Sequence, residues 1–75
     1  MIDNTILKEL EGSYSVCPSQ WYGKTIDDED IYVRYRYGTL SVRKEDRVVF
    51  HKQIGDEFDG VMDTKEMLEH TGMIL

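Results

Sequence analysis

Strand-forming side chains alternate with arginines at a period of two in residues 31–54, and no other feature limits the fold as strongly. Successive side chains of a strand point to opposite faces, so an alternating sequence gives a strand one apolar and one polar face. In the first of these strands the apolar face starts at Ile31 and, by the same period, includes Tyr37. The opposite face carries Tyr32, Arg34 and Arg36. This pattern predicts an antiparallel sheet with one buried face.

Two polar segments divide the stretch into three strands. The Gly38-Thr39 pair predicts the first turn, and residues 44–46 predict the second. Between the turns, apolar residues alternate with polar ones that include Arg43. Residues 47–54 are again rich in β-branched and aromatic side chains, which predicts a third strand and leaves open which of its faces is buried.

Residues 4–10 fit two secondary structures. Ile6, Leu7 and Leu10 have helical spacing, whereas a strand starting near Thr5 would have an interruption at Gly12. Helix and strand therefore both remain open here.

The next segment predicts one more short strand and then a loop. Residues 13–17 alternate in size and end at Pro18, which cannot continue a hydrogen-bonded ladder. The Trp21-Tyr22-Gly23 segment predicts the start of a loop that runs through the acidic cluster at residues 27–30. The predicted sheet thus has three or four strands.

Capping signals predict a C-terminal helix over residues 64–71. Asp63 with Glu66 three positions later has the spacing of a helix N-cap, and Gly72 stands where a left-handed C-terminal residue belongs. So short a helix needs tertiary packing, for which Met67 is suitably placed. The expected fold is a single small α+β domain over residues 1–75, an antiparallel β-meander with this helix packed on one face.

Length and charge restrict the class of protein. The chain has 75 residues and a net charge of −6, yet residues 31–54 contain six basic against two acidic residues, while each flank carries −5. Cys17 is the single cysteine, which excludes an intrachain disulfide scaffold and favours a reducing compartment. No apolar run approaches the roughly 20 residues that a membrane helix requires. We therefore expect a cytoplasmic protein without a membrane anchor.

A basic and aromatic strand face is the best candidate for a binding surface. Aromatic rings beside guanidinium groups suit phosphate, carboxylate or protein partners, since Tyr, Trp and Arg concentrate in interface hot spots. The candidate residues are Trp21, Tyr22, Tyr32, Arg34, Arg36 and Arg43. The alternative is an ordinary polar face whose arginines pair with residues 27–30 or with the acidic C-terminal segment, and a tryptophan that packs on the core.

No motif specifies an enzyme, a cofactor or a metal site, so we expect a non-enzymatic protein-interaction or inhibitory module. In size and charge the chain resembles many small products of phages and mobile elements, some of which inhibit host proteins. The alternatives are binding of single-stranded nucleic acid on the strand face and, more distantly, an enzyme that uses Cys17 with His51 or His70. A homodimer, which would cover an exposed edge strand, and a monomer both remain open.

Overall fold

The computed structural model describes residues 5–13 and 18–75, and these residues form five strands and one helix. The elements are β1 (Leu7–Ser13), β2 (Ser19–Thr25), β3 (Asp30–Arg36), β4 (Thr39–Lys44), β5 (Arg47–Gln53) and α1 (Thr64–Thr71). All five strands pair antiparallel with their neighbours in the chain, in the order β1-β2-β3-β4-β5. The α+β meander is confirmed, but the predicted count of three or four strands is wrong, because β1 and β2 are both full strands.

The two additional strands fit together through a glycine. The segment left open between helix and strand belongs mainly to β1, and the expected interruption at Gly12 does not occur. Trp21 does not open a loop but lies in β2, opposite Gly12 of β1. A side chain at Gly12 would come within 2.9 Å of the indole Nε1, so glycine leaves the room that the buried indole fills. Residues 14–17 of the predicted short strand, including Cys17, lie outside the described residues.

Two tight turns fix the register of the central strands. Tyr37 and Gly38 connect β3 to β4 with φ of 55° and 73°, and the next pair, Glu45 and Asp46, connects β4 to β5 with φ of 48° and 69°. Positive φ at both central residues matches the twist of a two-residue hairpin. The first turn therefore lies one residue earlier than predicted. Tyr37 is a largely exposed turn residue, so its predicted place on the apolar face is wrong.

A bulge in β5 decides which side of the last strand is buried. Val42 pairs with Phe50 and Arg43 with Val48, which leaves Val49 as an extra residue. An extra residue shifts the alternation by one position. Phe50 consequently turns towards the core, while His51 takes the opposite face beside Ser41.

The core lies between one face of the sheet and α1. It is formed by buried residues from all five strands, from α1 and from the segments that flank the helix: Leu7, Trp21, Ile31, Val33, Tyr35, Leu40, Val42, Phe50, Met62, Met67 and Met73. Trp21 is fully buried, and its Nε1–H donates a 3.0 Å hydrogen bond to Thr64 Oγ1 at the start of α1. The predicted helix is confirmed together with its caps. Asp63 accepts from the Glu66 amide at 2.8 Å, and Gly72 is left-handed at φ 81°.

The segments around α1 are tied to the sheet at both ends. The carbonyl of Gly38 accepts bonds from the amides of Ile54 (2.7 Å) and Gly55 (3.0 Å), and its own amide donates to the Asp59 carbonyl at 2.6 Å. Beyond the helix, Ile74 forms a parallel bridge with Ile6, the residue just before β1. The loop between β5 and α1 and the C-terminal residues therefore hold the helix over the apolar face of the sheet.

Candidate binding surface on the outer sheet face

The sheet face opposite α1, called the outer face below, carries aligned rows of side chains. One row follows the cross-strand pairs Tyr22–Tyr32, Tyr32–Arg43 and Arg43–Val48. The next row follows Gln20–Arg34, Arg34–Ser41 and Ser41–His51. Arg36 lies one row further on, opposite Thr39. Five of the six predicted site residues are thus brought together: Tyr22, Tyr32, Arg34, Arg36 and Arg43.

Trp21 is the exception. Alternation within β2 turns Trp21 to the core and Tyr22 to the outer face, so that Trp21 is fully buried and Tyr22 is 58% exposed. Trp21 supports the surface from behind and does not contribute to it. The sequence left two interpretations of Trp21 open, one as a surface residue and one as a core residue. The structure agrees with the second.

Two tyrosines form an ordered aromatic pair on this face. The rings of Tyr22 and Tyr32 have centroids 5.0 Å apart and are tilted by 40°. Both hydroxyls donate to Oε1 of Gln20, Tyr32 at 2.9 Å and Tyr22 at 3.4 Å. This spacing is typical of attractive aromatic pairs, and the shared acceptor limits rotation of both rings. A partner would therefore meet a preformed aromatic platform.

The arginines of the outer face form no ion pair with any residue in the described part of the chain. The ion pairs found there all involve lysines: Lys8 with Asp28, Lys24 with Asp30 at 3.2 Å, and Lys44 with Glu29 at 3.0 Å. The hydrogen bond to Asp30 raises the pKa of Lys24, and the Lys8 ammonium lowers the pKa of Asp28. Within residues 5–13 and 18–75, lysines therefore pair with three of the four acidic residues at 27–30 that the alternative interpretation assigned to the arginines.

Arg36 is oriented by its chain neighbour. Its Nη2 donates to the Tyr37 hydroxyl at 2.9 Å, and its guanidinium carbon lies 4.7 Å from the centroid of the Tyr37 ring. A guanidinium over a ring face keeps its charge and its remaining N–H donors. The exposed turn residue Tyr37 thus orients the Arg36 guanidinium.

The charge of the outer face changes along the strands. Near the β3–β4 turn, a depression of about 250 Å³ is lined by Arg34, Arg36 and His51 without any carboxylate. A second depression of about 190 Å³ continues it past Arg34 and His51 to Arg43. At the other end, a depression of about 520 Å³ has three acidic residues beside Arg43, namely Asp30, Glu45 and Asp46.

This change of charge along the strands limits the length of an anionic ligand that the outer face could bind. The basic part of the face extends from Arg36 to Arg43, and carboxylates begin at Asp30 and at the β4–β5 turn. A short anionic segment fits between these limits. A longer polyanion that extended beyond Arg43 would be repelled by these carboxylates. The net charge of −6 also opposes its approach.

Sequence reasoning missed several residues of this surface. Gln20, Ser41 and Val48 had no role assigned, and His51 was considered only as a partner of Cys17. Alternation within β4 places Ser41 on the same face as Arg43 and identifies it, whereas Gln20 lies in β2, a strand that the sequence analysis did not predict. His51 depends on the Val49 bulge, for which the sequence carries no signal.

Two further observations concern metal binding and a membrane-spanning helix. No group of three or more His, Cys, Asp or Glu residues in the described part of the chain is arranged to hold a metal ion. Within the same residues, no helix is long and apolar enough to cross a membrane.

Comparisons with known proteins leave the surface as the main guide to function. No family model, no curated protein and no solved structure matches the chain. The fold and the surface together define a small antiparallel α+β domain with a basic, aromatic outer face.

Proposed function

We propose that this protein is a non-enzymatic interaction module that binds an acidic segment of another protein on its outer face and thereby inhibits or regulates that protein. The observation that carries the proposal is the set of three arginines, Arg34, Arg36 and Arg43, which share an exposed face and form no ion pair within the described part of the chain. Unpaired guanidinium groups offer several donors in a geometry that matches carboxylates.

The aromatic pair supplies the apolar part of the proposed contact. Tyr32 lies directly beside Arg43 in one row of the sheet, and Tyr22 lies on the far side of Tyr32 in the same row. Rigid rings next to arginines are the composition found at energetic centres of protein interfaces. The partner segment would therefore contain carboxylates and at least one apolar residue. We place the interaction in the cytoplasm, because a single cysteine suits a reducing compartment.

Binding of single-stranded nucleic acid is a second candidate, favoured by the same rings, because bases stack on exposed tyrosines beside arginines. Two facts rank it lower. Acidic residues border the basic face at Asp30 and Glu45, and the net charge of −6 repels polyanions at long range.

The test is an affinity capture from lysate with matched charge variants. Arg34→Ala/Arg43→Ala removes two charges from the outer face, and Lys8→Ala/Lys65→Ala removes two charges from elsewhere. A contribution of about 1 kcal/mol from each arginine predicts that the first variant weakens binding roughly 30-fold and that the second leaves it within about threefold. Circular dichroism would establish that both variants are folded.

Nuclease treatment separates the two candidates. A protein partner that survives nuclease and is lost only with Arg34→Ala/Arg43→Ala supports the proposal. Recovery of nucleic acid that depends on the same arginines, with affinity falling steeply as salt rises, would replace it with the second candidate. Equal losses in both variants would refute a role for the outer face.

A further inference from the structure

We propose that the free edge of β5 accepts an extended acidic segment as a sixth strand, so that the partner adds to the sheet while its side chains reach the outer face. This inference rests on the proposed function and specifies how the partner is held. Strand addition supplies affinity through main-chain hydrogen bonds and specificity through alternate side chains.

The two edges of the sheet differ in their availability. At β1, the amide of Leu7 donates to the Ile74 carbonyl at 2.7 Å, and the amide of Ile74 donates to the Thr5 carbonyl at 2.9 Å. The C-terminal residues therefore already occupy part of that edge. β5 pairs only with β4, and no other strand formed by the described residues lies beside it. The edge of β5 therefore leaves more main-chain groups available to pair with an added strand than the edge of β1 does.

The side chains of β5 suit an added strand of opposite charge. Six of its seven residues are exposed, and Phe50 alone is buried. The strand carries Arg47, His51 and Lys52 and contains no acidic residue. His51 lies on the outer face, whereas Arg47 and Lys52 lie on the opposite face of the sheet. A partner strand with carboxylates on both of its faces is therefore complementary in charge to β5.

The same features oppose pairing of β5 with a second copy of itself. Two β5 strands would bring together only basic charges. Like charges are one means by which edge strands avoid each other. An acidic partner reverses the sign of this charge interaction. Two exposed β-branched residues, Val48 at 57% and Val49 at 40%, then provide apolar contact for it.

The added strand would also be continuous with the proposed binding face. Val48 and His51 line the depression of about 190 Å³ that contains Arg34 and Arg43. A carboxylate on the outer side of a strand next to β5 would first meet His51. The long side chain of Arg43 extends from β4, the next strand of the sheet. Edge and face would therefore bind one segment together.

The test uses a short synthetic peptide of Glu, Thr and Val with carboxylates at both odd and even positions. One control replaces Glu with Gln, and another carries N-methyl groups on alternate amides, which removes main-chain donors. We expect each control, and the protein variant Arg47→Gln/Lys52→Gln, to lower the affinity about tenfold in fluorescence anisotropy. Amide hydrogen exchange should slow at those β5 amides that face away from β4.

Each alternative outcome overturns strand addition in a distinguishable way. If the peptide binds, loses affinity only with Arg34→Ala/Arg43→Ala and leaves β5 exchange unchanged, strand addition is wrong and binding to the outer face stands. If the peptide does not bind at low salt, binding of an acidic segment fails with it. If β5 amides are protected without peptide, in proportion to protein concentration, the edge pairs with a second copy instead.

Discussion

Replacement of Gly38 by alanine should destabilise the domain more than its position in a two-residue turn would indicate. Gly38 has φ of 73°, and a left-handed conformation costs a residue with a side chain about 1–2 kcal/mol. A Cβ atom would also overlap the main-chain carbonyl oxygens of Gly55 and Asp56. Relief of that overlap displaces the loop and weakens one or two of the three main-chain hydrogen bonds at Gly38, each of which contributes about 1 kcal/mol. The expected loss is therefore about 3 kcal/mol.

Urea unfolding followed by circular dichroism measures this loss against a control. A domain of this length has a free energy of unfolding of roughly 4–11 kcal/mol, so the midpoint for Gly38→Ala should fall steeply. Gly72 is also left-handed, at φ 81° in the helix cap, and Gly72→Ala carries the same conformational cost of about 1–2 kcal/mol. If the two variants differ by less than about 0.5 kcal/mol, the loop does not depend on Gly38 as argued.

Three further outcomes are expected. Asp63→Ala should lower the free energy of unfolding by about 1 kcal/mol, because the Glu66 amide loses its acceptor, whereas Asp63→Asn should retain most of it; urea midpoints decide. Lys8 lowers the pKa of Asp28, so the stabilisation from this pair is present above about pH 4 and is lost as the pH falls through the lower folded value. Lys8→Met should return the Asp28 titration, followed by carboxyl NMR, to the ordinary range. Burial raises the pKa of Tyr35, so its contribution to stability is full below about pH 10 and is lost as the pH rises through the higher folded value. Phenolate absorbance should show a late titration that disappears in Tyr35→Phe.

Local chemistry explains which parts of the fold the sequence predicts. The helix limits follow from Asp63 and Gly72, whose capping roles depend on their immediate neighbours. The faces of β3 follow from simple alternation, which buries Val33 and exposes Arg34. Trp21 was misplaced because a strand at this position depends on β1 and β3 on either side, and neither contact leaves a mark in the local sequence.

Some residues of the candidate surface were predictable from the sequence, but the partners of the acidic residues near it were not. Alternation identifies Tyr32, Arg34 and Arg36 as neighbours on one face. Whether arginines or lysines pair with the acids at residues 27–30 depends on distances between strands, and in the described residues lysines pair with three of the four. The register of β5 was open for a similar reason, since Val49 and Phe50 are both apolar and either could face the core.

The hydrogen bond between Trp21 and Thr64 spans 43 positions of the chain, whereas each hairpin from β2 to β5 joins immediate neighbours. Closing a long loop costs more conformational entropy than extending a hairpin, and contacts between distant residues slow folding. We therefore expect the meander to assemble first and the helix to dock last. Until docking, the apolar face around Trp21 is open to water, and this final step sets how long the nascent domain is vulnerable to aggregation.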